Sequence, residues 1–318
     1  MIQKKIDYFF DIAVALLLFS LPFSLAIPNI ILGVVFLLSF FKNKERLFSN
    51  TYINLLVLFI SYLLLKAFLL NSLINNIHIY KHLITILIVS VLLFKVKNII
   101  LVVKGFIFGV FLAVLISSIK IFIFYLECNQ LPFGNTSDVE NLILIDRPYF
   151  GFICFLAIVL LHLLITKTKD SINKKKYLFL IIFITLFLFI IVARLALFLS
   201  FSFIAIQILL NAKLSKTNLL TGFLLLITIS LSVLTLNENV KNRFHIKDSF
   251  ESTVKVLKNQ EPRFVIWDCT INQLEDIGFH FFTGYKNRAD IQFNLNECYK
   301  SIITNSSKKE YYLATKFN

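Results

Sequence analysis

The chain has 318 residues, of which 58% are hydrophobic and 15% aromatic, and its mean hydropathy is +0.81. These values lie far outside the range of soluble globular domains and indicate a polytopic, all-α membrane protein. A net charge of +14 would suit a nucleic-acid binder, but the lysines sit in short loops between apolar segments, where they set orientation in a bilayer. Nucleic acid is therefore not an expected partner.

Nine apolar segments read as transmembrane helices, at 8–23, 25–41, 52–70, 82–94, 99–125, 149–166, 177–192, 194–211 and 218–236. An N-terminus on the cytoplasmic side puts Lys4 and Lys5, Lys42, Lys44 and Arg46, Lys95 and Lys97, the run from Lys167 to Lys176, and Lys213 and Lys216 all on that face. Each lysine-rich short loop obeys the positive-inside rule. The first segment is not read as a cleaved signal peptide, because the apolar sequence resumes at once and the charge alternation needs this span. Gly105 and Gly109 have GxxxG spacing, which permits close helix approach either within the chain or between two copies.

The same alternation sends residues 127–148 and the long segment 237–318 to the outside. The expected organisation is a helical membrane domain over 1–236, followed by a large, mainly helical extracytoplasmic loop domain over 237–318. In the latter, twelve Lys and Arg face ten Asp and Glu, and the only tryptophan, Trp267, is found there. Helices are predicted from Phe250 to Leu257, capped by Asp248, and from Pro262 to Ile277, ended by Gly278. Of four cysteines, Cys154 falls in a membrane span and Cys128, Cys269 and Cys298 face outward. One disulfide is then possible; Cys269 with Cys298 is the preferred pairing, although spacing does not decide it.

Only six basic residues are arginines, and five of them, Arg147, Arg194, Arg243, Arg263 and Arg288, fall on the outer side. A guanidinium is a permanently charged fork suited to phosphate, whereas lysine serves topology equally well. Arg194 is the most unusual, lying between two apolar runs with no polar loop around it. It either snorkels to the interface at a tight hairpin or lines an outward cavity that binds an anion. Arg147 opens the sixth span before Pro148, and either pairs with Asp146 or joins a helix N-terminus in an anion site. Arg263 and Trp267 stand at i, i+4; Trp267 either anchors at the headgroups or stacks on a sugar ring. His78 and His82 share helical spacing, but no carboxylate or cysteine accompanies them, so no metal site is expected. Phosphate-binding glycine loops, nucleophile elbows and His-Glu-x-x-His are absent.

Arg147-Pro148-Tyr149, Val192-Ala193-Arg194-Leu195-Ala196-Leu197, the Arg263 to Trp267 spacing and Phe282-Thr283-Gly284-Tyr285 together resemble the O-antigen ligase and polymerase family of bacterial envelope enzymes. The resemblance covers most of the chain through short, degenerate motifs. It implies a multi-pass protein of the bacterial inner membrane with residues 237–318 in the periplasm. The implied activity is a metal-independent, inverting glycosyltransferase that needs no cofactor. Its donor is an undecaprenyl-pyrophosphate-linked glycan, and its acceptor is lipid A core in a ligase or a growing glycan in a polymerase. On this reading Arg194 and Arg263 hold the pyrophosphate and stabilise it as a leaving group, Arg147 supports them, and Trp267, Tyr149 and Gly284 contact glycan or interface.

The sequence departs from the family in one respect. A catalytic His, usually followed by Asn, and further spans are expected late in the outer loop, yet the chain ends at Thr315-Lys316-Phe317-Asn318. The base that would activate the acceptor hydroxyl is expected beyond Asn318, in a longer gene product; nothing in the sequence promotes His245 or His280 to that role. Two other classes compete. A lipid-linked glycan flippase or transporter predicts charges deep in several spans and an inverted repeat, neither of which is visible. A noncatalytic scaffold has no need of Arg194 at a membrane surface.

Overall fold

The computed structural model describes residues 2–24, 26–42, 50–71, 73–74, 77–129, 141–210, 266–267, 269–272 and 288–302. These are mostly helical and none of them is in a strand. The long helices are α1 (Ile2–Ser20), α2 (Ala26–Ser39), α3 (Thr51–Leu69), α4 (Ile77–Phe94), α5 (Ile99–Cys128), α6 (Arg147–Lys167), α7 (Ser171–Ile190), α8 (Arg194–Leu210) and α9 (Arg288–Ile302). The first eight overlap eight of the nine apolar segments, while the ninth segment, 218–236, lies outside the described residues. Three of them, α3, α5 and α6, are long and apolar enough to cross a membrane, and α2, α4 and α8 contain shorter apolar helices. Large side chains such as Ile30, Leu58, Phe68 and Phe179 stand on exposed faces, as helices in contact with lipid require.

Contacts divide the chain into two compact units: 1–44 with 95–244, and 45–94 with 245–318. In the first unit α5 packs along α1, and this packing explains the glycine pair. A Cβ at Gly105 would stand 3.0 Å from both Cβ and O of Ala15, and one at Gly109 would run into the backbone carbonyl of Phe19. The GxxxG face is therefore filled from within the chain by α1, and the helix axes meet closely because neither glycine adds a side chain between them. Farther along, α5 meets α6 and α7, and α6 packs against both α7 and α8. Val110, Ala113 and Val114 of α5, Phe150, Cys154 and Leu161 of α6, and Ile184 and Leu188 of α7 form the centre of this core.

The start of α5 is tied to α1 by charge. Asp7 and Asp11, one turn apart on α1, are both buried, and so is Lys42 just past the end of α2. Lys42 Nζ lies 3.8 Å from Asp7 Oδ1 and 3.8 Å from Asp11 Oδ1, sits 4.3 Å over the Phe10 ring, and donates to the carbonyl of Lys95. Asp11 accepts from the backbone N–H groups of Lys97 (3.2 Å) and Asn98 (2.8 Å), so a side chain of α1 caps the N-terminus of α5. Lys97 Nζ closes the group on Asp7 Oδ2 at 2.6 Å, and Lys95 Nζ donates to Ser39 O at 3.1 Å. Lys42, Lys95 and Lys97 are thus more than topological charges. The sequence signal was the Asp7, Asp11 pair at helical spacing.

In the second unit α3 and α4 form a hairpin. Asn50 caps α3 by accepting from Tyr52 N (2.9 Å) and Ile53 N (3.4 Å), and Tyr80 of α4 donates to Leu63 O of α3 (3.2 Å). Residues 266–267 and 269–272 are helical, within the helix expected over 262–277; the helix expected over 250–257 lies outside the described residues. The later helix α9 was not anticipated, although Ile291, Leu295 and Cys298 recur at i, i+4, i+7 and all join its small core with Ile266. Cys269 and Cys298 are disulfide-bonded across that core, with Cα atoms 5.7 Å apart, which decides the pairing that spacing left open. Cys128 is an exposed free thiol.

Candidate functional site

Two arginines each open a helix. Arg147 is the first residue of α6, followed by Pro148, whose missing N–H costs nothing in a first turn. Arg194 is the first residue of α8. Helices α6 and α8 are packed side by side and run the same way: Gly151 near the start of α6 meets Ala193 and Ala196 at the start of α8, and farther along His162 meets Phe203 edge to face, centroids 5.5 Å apart. Both positive helix ends therefore lie together, each carrying a guanidinium. A helix N-terminus contributes roughly half a positive charge. Two such ends and two arginines gather beside Asp146, the residue just before α6, and helix N-termini and arginines are the groups that bind phosphate-bearing ligands.

Burial separates the two side chains. Arg147 is almost wholly buried (4% exposed), one turn before Gly151 on the same face of α6, whereas Arg194 is partly exposed. Arg147 is therefore held by the packed interior of the helix group and Arg194 is the more accessible of the pair.

The junction that presents Arg194 is a tight reversal. Helix α7 ends at Ile190, and Val192 adopts φ 51°. Val192 N–H donates to Phe189 O (3.1 Å) and Ala193 N–H to Leu188 O (3.2 Å), the pair of bonds that closes a Schellman turn. Glycine normally occupies the left-handed position. A valine there costs about 1–2 kcal/mol, and its full burial offsets that cost by an amount of similar order. Ile191, Val192 and Ala193 are all buried, so the packing over-determines the turn and fixes where α8 begins.

Gly151 completes the arrangement. A Cβ on it would stand 2.9 Å from Ala193 Cβ and 3.1 Å from Ala196 Cβ, so the two N-termini approach as closely as they do only because position 151 has no side chain. Neither Gly151 nor Val192 was singled out as a site residue from sequence. The signal for Gly151 was present as a glycine in an apolar run, but its counterpart alanines lie more than forty positions away.

The other expected site residues separate. Tyr149 is exposed (64%) and, two residues from Arg147, projects from the opposite side of α6. Trp267 is also exposed (56%) and belongs to the disulfide-linked part of the second unit, on a helical turn with the exposed Ile271. Arg263 and Gly284 lie outside the described residues, as do His245 and His280. Among the described residues no group of three or more His, Cys, Asp or Glu is arranged to hold a metal ion.

No family model, no curated protein and no solved structure matches the chain.

Proposed function

We propose that the chain belongs to a membrane glycosyltransferase of the O-antigen ligase type, which takes its glycan from an undecaprenyl-pyrophosphate donor on the outer side of the bacterial inner membrane. The observation that carries this reading is the pairing of Arg147 and Arg194 at two parallel, adjacent helix N-termini. A pyrophosphate has two phosphoryl groups, and two such ends match it in number and charge. In the proposed reaction a general base takes the acceptor hydroxyl's proton as its oxygen attacks the anomeric carbon, the sugar-to-phosphate bond breaks, and undecaprenyl pyrophosphate departs with the electron pair. Arg194 stabilises the charge that grows on the departing group, and Arg147, locked in the packed helix group, positions the pair. Arg263 is expected to hold the pyrophosphate together with Arg194. The Cys269–Cys298 disulfide supports the proposed orientation, because stable disulfides are favoured in oxidising compartments such as the periplasm. Lipid A core is the acceptor in the ligase form and a growing glycan in the polymerase form.

The test is complementation. The gene is expressed in a strain lacking its lipopolysaccharide ligase, and polymer attachment is followed by gel. Wild type is expected to restore the ladder, and Arg194→Ala, present at equal level in the membrane, to lower attachment by about 10²–10³-fold. Normal attachment by the variant removes the pyrophosphate role from Arg194.

A further inference from the structure

We infer that Gly151 is a positioning residue: by letting α6 and α8 meet without an intervening side chain, it sets the separation of the two arginine-bearing helix ends and so makes the site prefer a diphosphate over a monophosphate. This rests on the anion-binding reading of Arg147 and Arg194 given above, and adds to it a residue that touches no ligand.

The argument starts from what Gly151 meets. Its neighbours are the Cβ atoms of Ala193 and Ala196, at 2.9 and 3.1 Å from where its own Cβ would stand. Carbon atoms rest at about 3.5–4.0 Å, so an added methyl must gain roughly 0.6–1.1 Å from Ala193. An alanine has no rotamer with which to yield. Nor can Ala193 move by itself, because its N–H is bonded to Leu188 O in the reversal after α7 and it is buried there with Ile191 and Val192. Helix α6 must therefore shift as a body. Arg147 lies one turn from Gly151 on the same face, so its guanidinium and the N-terminus of α6 move with it. A monophosphate needs only one helix end and is indifferent to the gap. A diphosphate bridging both ends is sensitive to it, since displacements near 1 Å at positioned groups cost up to about a hundredfold.

The measurement is the affinity of the detergent-solubilised 318-residue chain for inorganic pyrophosphate and for inorganic phosphate, by titration calorimetry, with the ligand-free melting temperature recorded alongside. Wild type is expected to prefer pyrophosphate by about tenfold or more, and Gly151→Ala to lose most of that preference with phosphate affinity nearly unchanged. Adding Ala193→Gly to Gly151→Ala removes the nearer of the two opposing methyls and, with that of Ala196 still present at 3.1 Å, is expected to restore part of the preference. A Gly151→Ala protein that melts lower yet keeps its full preference overturns the inference, because the glycine then serves stability alone. So does a double variant that regains its melting temperature without its preference. If wild type shows no pyrophosphate affinity, or Arg194→Ala retains it unchanged, the anion reading itself falls and takes this inference with it; loss in Arg194→Ala with preference kept in Gly151→Ala removes this inference only.

Discussion

Past the end of α2 the chain gathers basic groups among its own carboxylates, whereas at the starts of α6 and α8 it sets two arginines on two helix ends of the same sign. In the first place Lys42 is surrounded: Asp7 and Asp11 flank it, Phe10 lies beneath it, and Asp11 also caps α5. Charge is balanced within the chain, so the group's work is to register α1, α2 and α5. In the second place arginines and helix dipoles add. Along the sequence the nearest acidic residues flanking Arg194 are Asp170 and Glu238, far away on either side. Both places contain buried or partly buried cations near the end of a helix. What differs is the local arrangement: carboxylates pack around a lysine in the first place, whereas two helix ends of the same sign adjoin in the second.

The contrast can be broken most directly at Lys42. Lys42→Met leaves two buried carboxylates without their central cation and is expected to destabilise the solubilised protein by about 3–5 kcal/mol in thermal or denaturant unfolding. Replacing the whole group, with Asp7→Asn and Asp11→Asn added, should recover a large part of that loss. Should Lys42→Met cost no more than Arg194→Ala does, the division into a structural cluster and a ligand site does not hold. A smaller effect is expected where the helices meet without charge. Gly109→Ala pushes a methyl against the Phe19 backbone, and about 1–3 kcal/mol of destabilisation is expected, with no change in pyrophosphate affinity because α6 and α8 are not displaced. The smallest effect belongs to Lys97. Its side chain is 54% exposed although it pairs with Asp7 at 2.6 Å, so Lys97→Ala should cost only about 0.2–1 kcal/mol and less at high salt. A loss as large as that of Lys42→Met would mean that the outer member of the cluster, rather than the buried one, holds it together.

Helix positions and the membrane class follow from hydropathy and caps, which are properties of neighbouring residues. Asn50 before α3, Asn98 before α5 and Asp170 before α7 each accept from a backbone N–H at the start of their helix, local caps that were not singled out from the sequence. Arg147 and Arg194 were legible as charges at helix starts. Their being neighbours was not, because it depends on α7 reversing at a valine in a left-handed conformation, where glycine would have been the readable sign. The helix α9 was missed for a related reason: its apolar stripe is thin, and only the small core formed with Ile266 and the disulfide rewards it.

By itself the sequence determined that the chain is helical, apolar enough for a membrane, and unusual in how few of its basic residues are arginines, since composition and short-range periodicity are summed along the chain and need no fold. Tertiary structure alone decided that Gly105 and Gly109 meet α1, that Lys42 is buried with two aspartates, that Cys269 joins Cys298, and that Gly151 brings two helix ends together. Each of these is a pairing of faces between segments tens of residues apart. A helix has several faces that look alike in the order of its residues, and which one is used is fixed only when steric fit and charge are satisfied together.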